Sequence, residues 1–145
     1  MTLGRAVGVD LGTKRVGIAV SDTGQILASP YEVIQRSGDL DRDRARLKAI
    51  VDECEAAVVV VGLPLSMDGS VGLAATAALE EAAVLAGVLS PVPVETFDER
   101  LTTVSADKSM MQRRMKADAR RRVVDKVAAA VMLQAWLDSR EARTR

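Results

Sequence analysis

The stretch from residue 5 to residue 22, RAVGVDLGTKRVGIAVSD, combines two short strand patterns around a glycine-containing turn. Arg5–Asp10 is apolar between its charged ends and predicts a buried strand. In Arg15–Asp22, apolar residues alternate with small or polar ones, which is typical of a second strand. Because the connection between them is short, we expect antiparallel neighbours, with Asp10 at the end of the first strand.

After this hairpin the pattern changes from strands alone to alternating helices and strands. Gln25–Arg36 predicts a third strand, and Pro30 within it indicates an irregularity or an exposed edge. The later predicted elements are a helix over Asp39–Glu55, a buried strand over Ala57–Val61, a helix over about Ser70–Ala86, a strand over Val92–Phe97, and two helices that begin near Thr102 and near Asp118. The order β-β-β-α-β-α-β-α predicts an α/β fold with a mixed five-stranded sheet flanked by helices, similar to the ribonuclease H-like fold.

The composition limits both the organisation of the chain and its chemistry. With 145 residues, we expect one domain over residues 1–138 and a loose tail over 139–145. There is no histidine and only one cysteine, Cys54, which excludes histidine-containing triads and the usual zinc sites. Chemistry therefore rests on the 20 Asp and Glu residues, on lysine or on hydroxyls. No segment reaches the ~20 apolar residues of a membrane span, so we expect a cytoplasmic protein that does not contact membranes.

Acidic residues follow or begin predicted elements at three places. Asp10 ends the first strand beside a glycine, Asp98-Glu99 follows the fifth strand, and Asp125 begins an apolar stretch of the last helix. Each has an ordinary structural explanation: a turn aspartate, the start of a helix, or an ion pair with Lys126 or Arg121. Together they point to a site for Mg²⁺ or Mn²⁺, because hard cations prefer carboxylate oxygens. Two such ions promote phosphodiester hydrolysis without histidine.

Positive charge is concentrated in one segment, although the whole chain has a formal net charge of zero. From Lys108 to Lys126 the sequence has eight Lys or Arg residues and two Asp. A charge run is usually a solvated face, but this one adjoins Asp125, which favours contact with phosphates. The residues that we expect to bind nucleic acid there are Arg113, Arg114, Lys116, Arg120, Arg121 and Arg122.

Two other parts of the chain are expected to contact phosphates. The segment Gly62–Ser70 follows the fourth strand, and the hydroxyls of Ser66 and Ser70 are placed to bind a phosphate near the start of a helix. The alternative is an ordinary loop in which Ser70 caps the helix. The remaining predicted nucleic-acid contacts are Lys14, Arg15 and Arg100.

Four sequence blocks, in order along nearly the whole chain, resemble the YqgF/RuvX family of pre-16S rRNA nucleases, also described as Holliday junction resolvases. The blocks are GVDLGTKRVGIAVSD (8–22), GLPLSMDGS (62–70), FDERLTT (97–103) and VDKVAAAVMLQAWL (124–137). The resemblance implies a ribonuclease H-like nuclease with Asp10, Glu99 and Asp125 as catalytic ligands of Mg²⁺ or Mn²⁺. Within the pair at 98–99, the acidic position of the family falls on Glu99. The sequence departs from the family at Ser66, often Asn, and at Ser105, often Glu.

The leading hypothesis is a metal-dependent hydrolase that processes the 5′ end of pre-16S rRNA. The alternative substrate is branched DNA, for which a homodimer would suit a four-way junction. A nucleotide-binding domain of the actin class is a second hypothesis, based on residues 10–13, but the chain lacks a second phosphate loop and is too short for duplicated domains. A non-catalytic nucleic-acid-binding module is the third, favoured if the carboxylates point apart. These motifs do not separate RNA from branched DNA.

The basic segment generates a prediction about binding. Replacing Arg120, Arg121 and Arg122 together by alanine is expected to raise the apparent Kd for nucleic acid and to flatten its dependence on salt, because fewer counterions are released from the phosphates. Titrations at several salt concentrations measure both quantities. An unchanged salt slope would show that these side chains do not contact phosphate.

Overall fold

The computed structural model describes residues 3–101 and 117–144, which form a five-stranded sheet with helices on both faces. The elements are β1 (Arg5–Leu11), β2 (Arg15–Ser21), β3 (Ala28–Gln35), α1 (Leu40–Glu53), β4 (Ala56–Leu63), α2 (Leu73–Val88), β5 (Val94–Asp98), a 3-10 turn (Glu99–Leu101) and α3 (Ala117–Thr144). The strand order is β3-β2-β1-β4-β5. The first three strands pair antiparallel, whereas β4 is parallel to β1 and β5 is parallel to β4. The predicted mixed sheet is confirmed.

Alternation along the strands divides the core into two halves. Val7, Val9 and Ile18 belong to the half that is completed by apolar residues of α1 and α2. Ala6, Ala19 and other small or β-branched residues of the sheet belong to the half that is completed by α3. Each face of the central strands is therefore covered, which explains why β4 is a continuous run of buried valines.

Glycine on the α3 face lets this helix lie close to the sheet. A Cβ atom at Gly8 would lie 2.9 Å from Cβ of Leu133 and 3.3 Å from the carbonyl oxygen of Ala129. A Cβ atom at Gly17 would collide with the carbonyl oxygen of Asp125. The helix thus approaches two neighbouring strands at positions where a side chain leaves no room.

Local contacts explain two of the differences from the predicted boundaries. The third strand begins at Ala28 instead of Gln25, because the carboxylate of Asp22 accepts hydrogen bonds from the amides of Ile26 and Leu27 and holds a turn. Helix α2 begins at Leu73 instead of near Ser70. Ser70 lies in the preceding loop, where its amide donates to the carboxylate of Asp68, so it does not cap the helix.

The start of β5 and the end of α3 also differ from the predicted boundaries. Strand β5 begins at Val94, two residues later than predicted. Helix α3 continues beyond residue 138 to Thr144, where we expect a loose tail, and the Arg140 guanidinium lies 4.5 Å from the centroid of the Trp136 ring. The helix predicted to begin near Thr102 lies outside the described residues. In the described ranges, no helix has both the length and the apolar character that crossing a bilayer requires.

Two glycine-to-alanine changes are expected to have opposite effects on stability, because Gly8 lies against α3 whereas Gly87 faces open space. Gly8→Ala is expected to lower the free energy of unfolding by about 1–3 kcal/mol, because the added methyl group overpacks the sheet against α3. Gly87→Ala, in α2, is expected to raise it by about 0.5–1 kcal/mol, since a Cβ atom there meets nothing within 4 Å and alanine favours helix. Chemical denaturation measures both. Equal effects at the two positions would contradict the close packing.

Candidate active site

Asp10 lies on β1 between two glycine positions of the neighbouring strands. It pairs with Gly17 of β2, and because Val9 pairs with Val61 of β4, the position beside Asp10 on that side is Gly62. Side chains two residues apart on a strand share a face, so Asp10 lies on the same face as Gly8, which contacts α3. The half-buried carboxylate is therefore bordered on both sides by residues without a side chain.

Helix α3 places Asp125 on the Gly17 side of Asp10. The backbone carbonyl of Asp125 occupies the space that a side chain at Gly17 would need. Its carboxylate accepts a hydrogen bond from Nε of Arg15, with 2.7 Å between Nε and Oδ2. The ion-pair partner of Asp125 seen among the described residues is thus Arg15 of β2. The side chain of Arg121 lies outside those residues.

The 3-10 turn after β5 places Glu99 on the opposite side of Asp10. A Cβ atom at Gly62 would collide with Oε1 of Glu99 and lie 3.0 Å from its Cγ and Cδ atoms. Gly62 pairs with Phe97 of β5, and the chain turns directly after this strand, so Glu99 lies over the end of β4. The two glycines that border Asp10 are therefore the positions approached by Glu99 and by Asp125.

Asp98, the neighbour of Glu99, has a different environment. Its carboxylate accepts hydrogen bonds from the Arg100 guanidinium, with 2.7 Å between Oδ2 and Nη2, and from the Arg100 backbone amide. The guanidinium hydrogen bonds lower the pKa of Asp98 below its usual range. Within the acidic pair, Asp98 is thus engaged with Arg100, while Glu99 is the residue directed at Gly62.

The donor set suits a hard divalent cation, but its members are not grouped as a complete metal site. Asp10, Glu99 and Asp125 offer only carboxylate oxygens, the ligands that Mg²⁺ and Mn²⁺ prefer. Among the described residues, no three His, Cys, Asp or Glu side chains are close enough together to hold a metal ion. The carboxylate of Asp125 is instead paired with Arg15, because its Oδ2 atom is directed at the Arg15 guanidinium.

The predicted nucleic-acid contacts are distributed over several environments. Lys14 is exposed at the tip of the β1–β2 hairpin, whereas Arg15 and Arg100 are paired with Asp125 and Asp98. Arg120, Arg121 and Arg122 belong to the part of α3 that precedes Asp125, with side chains outside the described set. Arg113, Arg114 and Lys116 lie outside the described residues.

The loop after β4 folds on itself and leaves its two serines exposed. The amide of Ser66 donates to the carbonyl of Ser70 over 3.0 Å, and the amide of Gly69 donates to the carbonyl of Ser66 over 2.8 Å. A hydrogen bond from the Ser70 hydroxyl is the main cause that lowers the pKa of Asp68. Nη1 of Arg100 lies 3.4 Å from the carbonyl oxygen of Met67 and so links this loop to the acidic pair after β5.

The structure also identifies Arg36, which the sequence analysis missed. Its Nε atom donates to the carbonyl oxygen of Gly12 over 2.7 Å, so it holds the tip of the hairpin. Arg36 lines an open cavity of about 370 Å³ beside α2 and another of about 340 Å³ that also includes Lys14. No sequence motif singles out this arginine, because its role depends on the antiparallel pairing of β2 with β3.

Known proteins resemble the chain over almost its whole length. Residues 4–139 match the model of the family described as "RuvX: Holliday junction resolvase". A protein of Mycobacterium sp. (strain KMS) named "Putative pre-16S rRNA nuclease" is 46% identical over 139 residues, which are 96% of this chain and 82% of that protein. A protein of the same name from Mycobacterium tuberculosis (strain ATCC 25177 / H37Ra) is 45% identical over 137 residues, 94% of this chain and 80% of its own.

A solved structure matches the fold at low sequence identity. RuvC of T. thermophilus in complex with a Holliday junction substrate superposes with a TM-score of 0.59 at 18% identity, over 94% of this chain and 96% of that one. This match confirms the ribonuclease H-like fold that the order of elements predicts.

The pair formed by Asp98 and Arg100 generates a prediction about pH. Because Arg100 lowers the pKa of folded Asp98, the pair stabilises the fold above the unfolded value near 3.8, and this contribution is lost as pH falls through the folded pKa. Asp98→Asn is therefore expected to lower the free energy of unfolding at pH 6 and to have little effect at the lowest pH at which the protein stays folded. Denaturant unfolding at several pH values measures this.

A double-mutant cycle provides the control for this prediction. In an Arg100→Met background, Asp98→Asn is expected to change stability less at pH 6, because the partner of the carboxylate is gone. An equal effect in both backgrounds would show that the stability change does not come from this ion pair.

Proposed function

The chain belongs to the RuvX family, and on this premise we propose that it is a nuclease that hydrolyses phosphodiester bonds and depends on a divalent cation. The names of the curated relatives support a ribosomal RNA precursor as substrate, so we propose processing of the 5′ end of pre-16S rRNA. The observation that carries the proposal is the arrangement of three acidic residues around one glycine-bordered position of the sheet.

We assign the catalytic role to Asp10, Glu99 and Asp125. Asp10 is central because it lies between the positions approached by the other two. Glu99 is favoured over Asp98, since Glu99 is directed at Gly62 beside Asp10, whereas Asp98 is directed at Arg100. These carboxylates would hold two Mg²⁺ or Mn²⁺ ions, and such a pair activates water and stabilises the leaving oxygen in phosphodiester hydrolysis.

Substrate binding in this proposal uses basic residues of the β1–β2 hairpin and of the segment before Asp125. Lys14 lies at the tip of the hairpin that contains Asp10, and Arg120, Arg121 and Arg122 precede Asp125 on the same helix. Arg113, Arg114 and Lys116 extend this basic segment along the sequence. Phosphate contacts of this kind position a nucleic acid without reading its sequence. The exposed hydroxyls of Ser66 and Ser70 are additional candidates on the loop beside Arg100.

Branched DNA is the second candidate substrate. The family description supports it, and the RuvC structure with the same fold holds a Holliday junction. Cleavage of labelled pre-16S rRNA and of synthetic four-way junctions, measured side by side with Mg²⁺ and then Mn²⁺, separates the two. We expect faster cleavage of the RNA, and cleavage confined to junctions would overturn the assignment to ribosomal RNA.

The central position of Asp10 generates the main test of the catalytic assignment. Asp10→Asn keeps the shape of the side chain and removes its charge, so cleavage is expected to fall by orders of magnitude. Without metal, the melting temperature is expected to stay the same or rise, because the substitution relieves repulsion between neighbouring carboxylates. Melting and cleavage are measured on the same preparation.

Asp52→Asn provides a matched control for Asp10→Asn. Asp52 is an exposed residue of α1 with Lys48 as its partner, so its loss is expected to leave cleavage unchanged. If Asp10 has only a structural role in β1, Asp10→Asn melts early and the folded fraction cleaves at the wild-type rate. That outcome would remove Asp10 from the catalytic site.

A further inference from the structure

The ion pair between Arg15 and Asp125 joins residues 110 positions apart at the edge of the proposed site. The two side chains are 19% and 24% exposed, so the pair is largely shielded from water. Charge-assisted hydrogen bonds with 2.7 Å between nitrogen and oxygen are among the stronger polar contacts in proteins. The pair therefore determines where the Asp125 carboxylate is directed.

The strand register places Arg15 on the same face as the acidic residues. Arg15 and Gly17 are two residues apart on β2 and so share a face, and Gly17 is the partner of Asp10 on β1. The guanidinium of Arg15 thus lies on the side of Asp10 where a divalent cation would need Asp125. Both cations require the same carboxylate, and they repel each other.

We propose that Arg15 is a positioning residue that withholds Asp125 from the metal, so that a divalent cation obtains this ligand only by displacing the guanidinium. This inference rests on the proposed function, because it concerns the same three carboxylates. It also assigns Arg15 a second position: once displaced from Asp125, its guanidinium is available for a phosphate of the nucleic acid.

The exchange predicts that Arg15 weakens the binding of divalent cations. Arg15→Met removes the guanidinium and keeps an unbranched apolar side chain, so the variant is expected to bind Mn²⁺ about fivefold more tightly than the wild type, the scale of one partly exposed ion pair. Isothermal titration calorimetry with Mn²⁺ alone measures this affinity without any cleavage. Thermal melting in the absence of metal shows whether the variant is folded.

Arg44→Met is a closely matched control. Arg44 forms an ion pair with Glu81 that also has a 2.7 Å separation, and both side chains are 19% exposed. This pair links α1 to α2 on the other face of the sheet, away from Asp125. Removing it is expected to lower stability as Arg15→Met does, while the affinity for Mn²⁺ stays at the wild-type value.

The wild-type protein allows a direct observation of the exchange. The Nε–Hε resonance of Arg15 in a ¹H–¹⁵N NMR spectrum, assigned by its loss in Arg15→Lys, reports the hydrogen bond to Asp125. Titration with diamagnetic Mg²⁺ to saturation is expected to shift this resonance and to speed its exchange with water. This NMR titration uses the wild-type protein, so it remains decisive if Arg15→Met does not fold.

The outcomes separate this inference from the proposed function. An unchanged or weaker Mn²⁺ affinity in folded Arg15→Met, or an unaltered Nε–Hε resonance at saturating Mg²⁺, overturns the inference even if the wild type cleaves nucleic acid. Tighter binding in Arg15→Met but not in Arg44→Met, together with the Mg²⁺-dependent shift, supports it. A wild type that neither binds Mn²⁺ nor cleaves RNA or junctions overturns both proposals.

Discussion

The close contact between α3 and the glycine positions of the sheet is the constraint on which the candidate site depends. Gly8 and Gly17 have no side chain on the face where α3 packs, and backbone and side-chain atoms of the helix occupy that space. Because α3 lies so near, Asp125 is brought to the strand that pairs with Asp10. Gly62 has the same effect on the other side, where it leaves room for Glu99. Packing of small residues and placement of acidic residues are therefore one feature of this fold.

Most of the fold could be predicted from the sequence because its elements have clear periodic patterns. The alternation in Arg15–Ser21, the valine run of β4 and the charged amphipathic pattern of α1 each favour a single type of element. Boundaries were less predictable, since they depend on individual hydrogen bonds. The carboxylate of Asp22 delays the start of β3, and no periodicity in the sequence indicates that contact.

The candidate site could be predicted as a set of residues but not as an arrangement. Residue type and position at strand ends pointed to Asp10 and to the pair at 98–99, and the start of an apolar stretch of the last helix pointed to Asp125. Asp98 is held away from Gly62 by the hydrogen bonds that Arg100 donates to its carboxylate, and these bonds are a property of the turn after β5. The ordinary explanation of Asp125 was an ion pair with Lys126 or Arg121, whereas the ion pair seen among the described residues joins it to Arg15, because tertiary packing brings together residues that are 110 positions apart.

Two arginines, Arg15 and Arg100, offset negative charge at the edge of the sheet that holds the candidate site. Asp10 and Asp98 lie on β1 and β5, Glu99 directly follows β5, and Asp125 lies on α3, so this edge of the sheet carries four carboxylates. Like charges disfavour one another, and a nearby cation reduces that cost. Arg100 offsets the charge of Asp98, and Arg15 offsets that of Asp125. In the proposed exchange, the guanidinium of Arg15 stabilises the metal-free protein and, by the same interaction, opposes a cation that needs the carboxylate of Asp125. On that proposal, stability without metal and affinity for metal are opposed at Arg15, and the ion pair sets the balance between them.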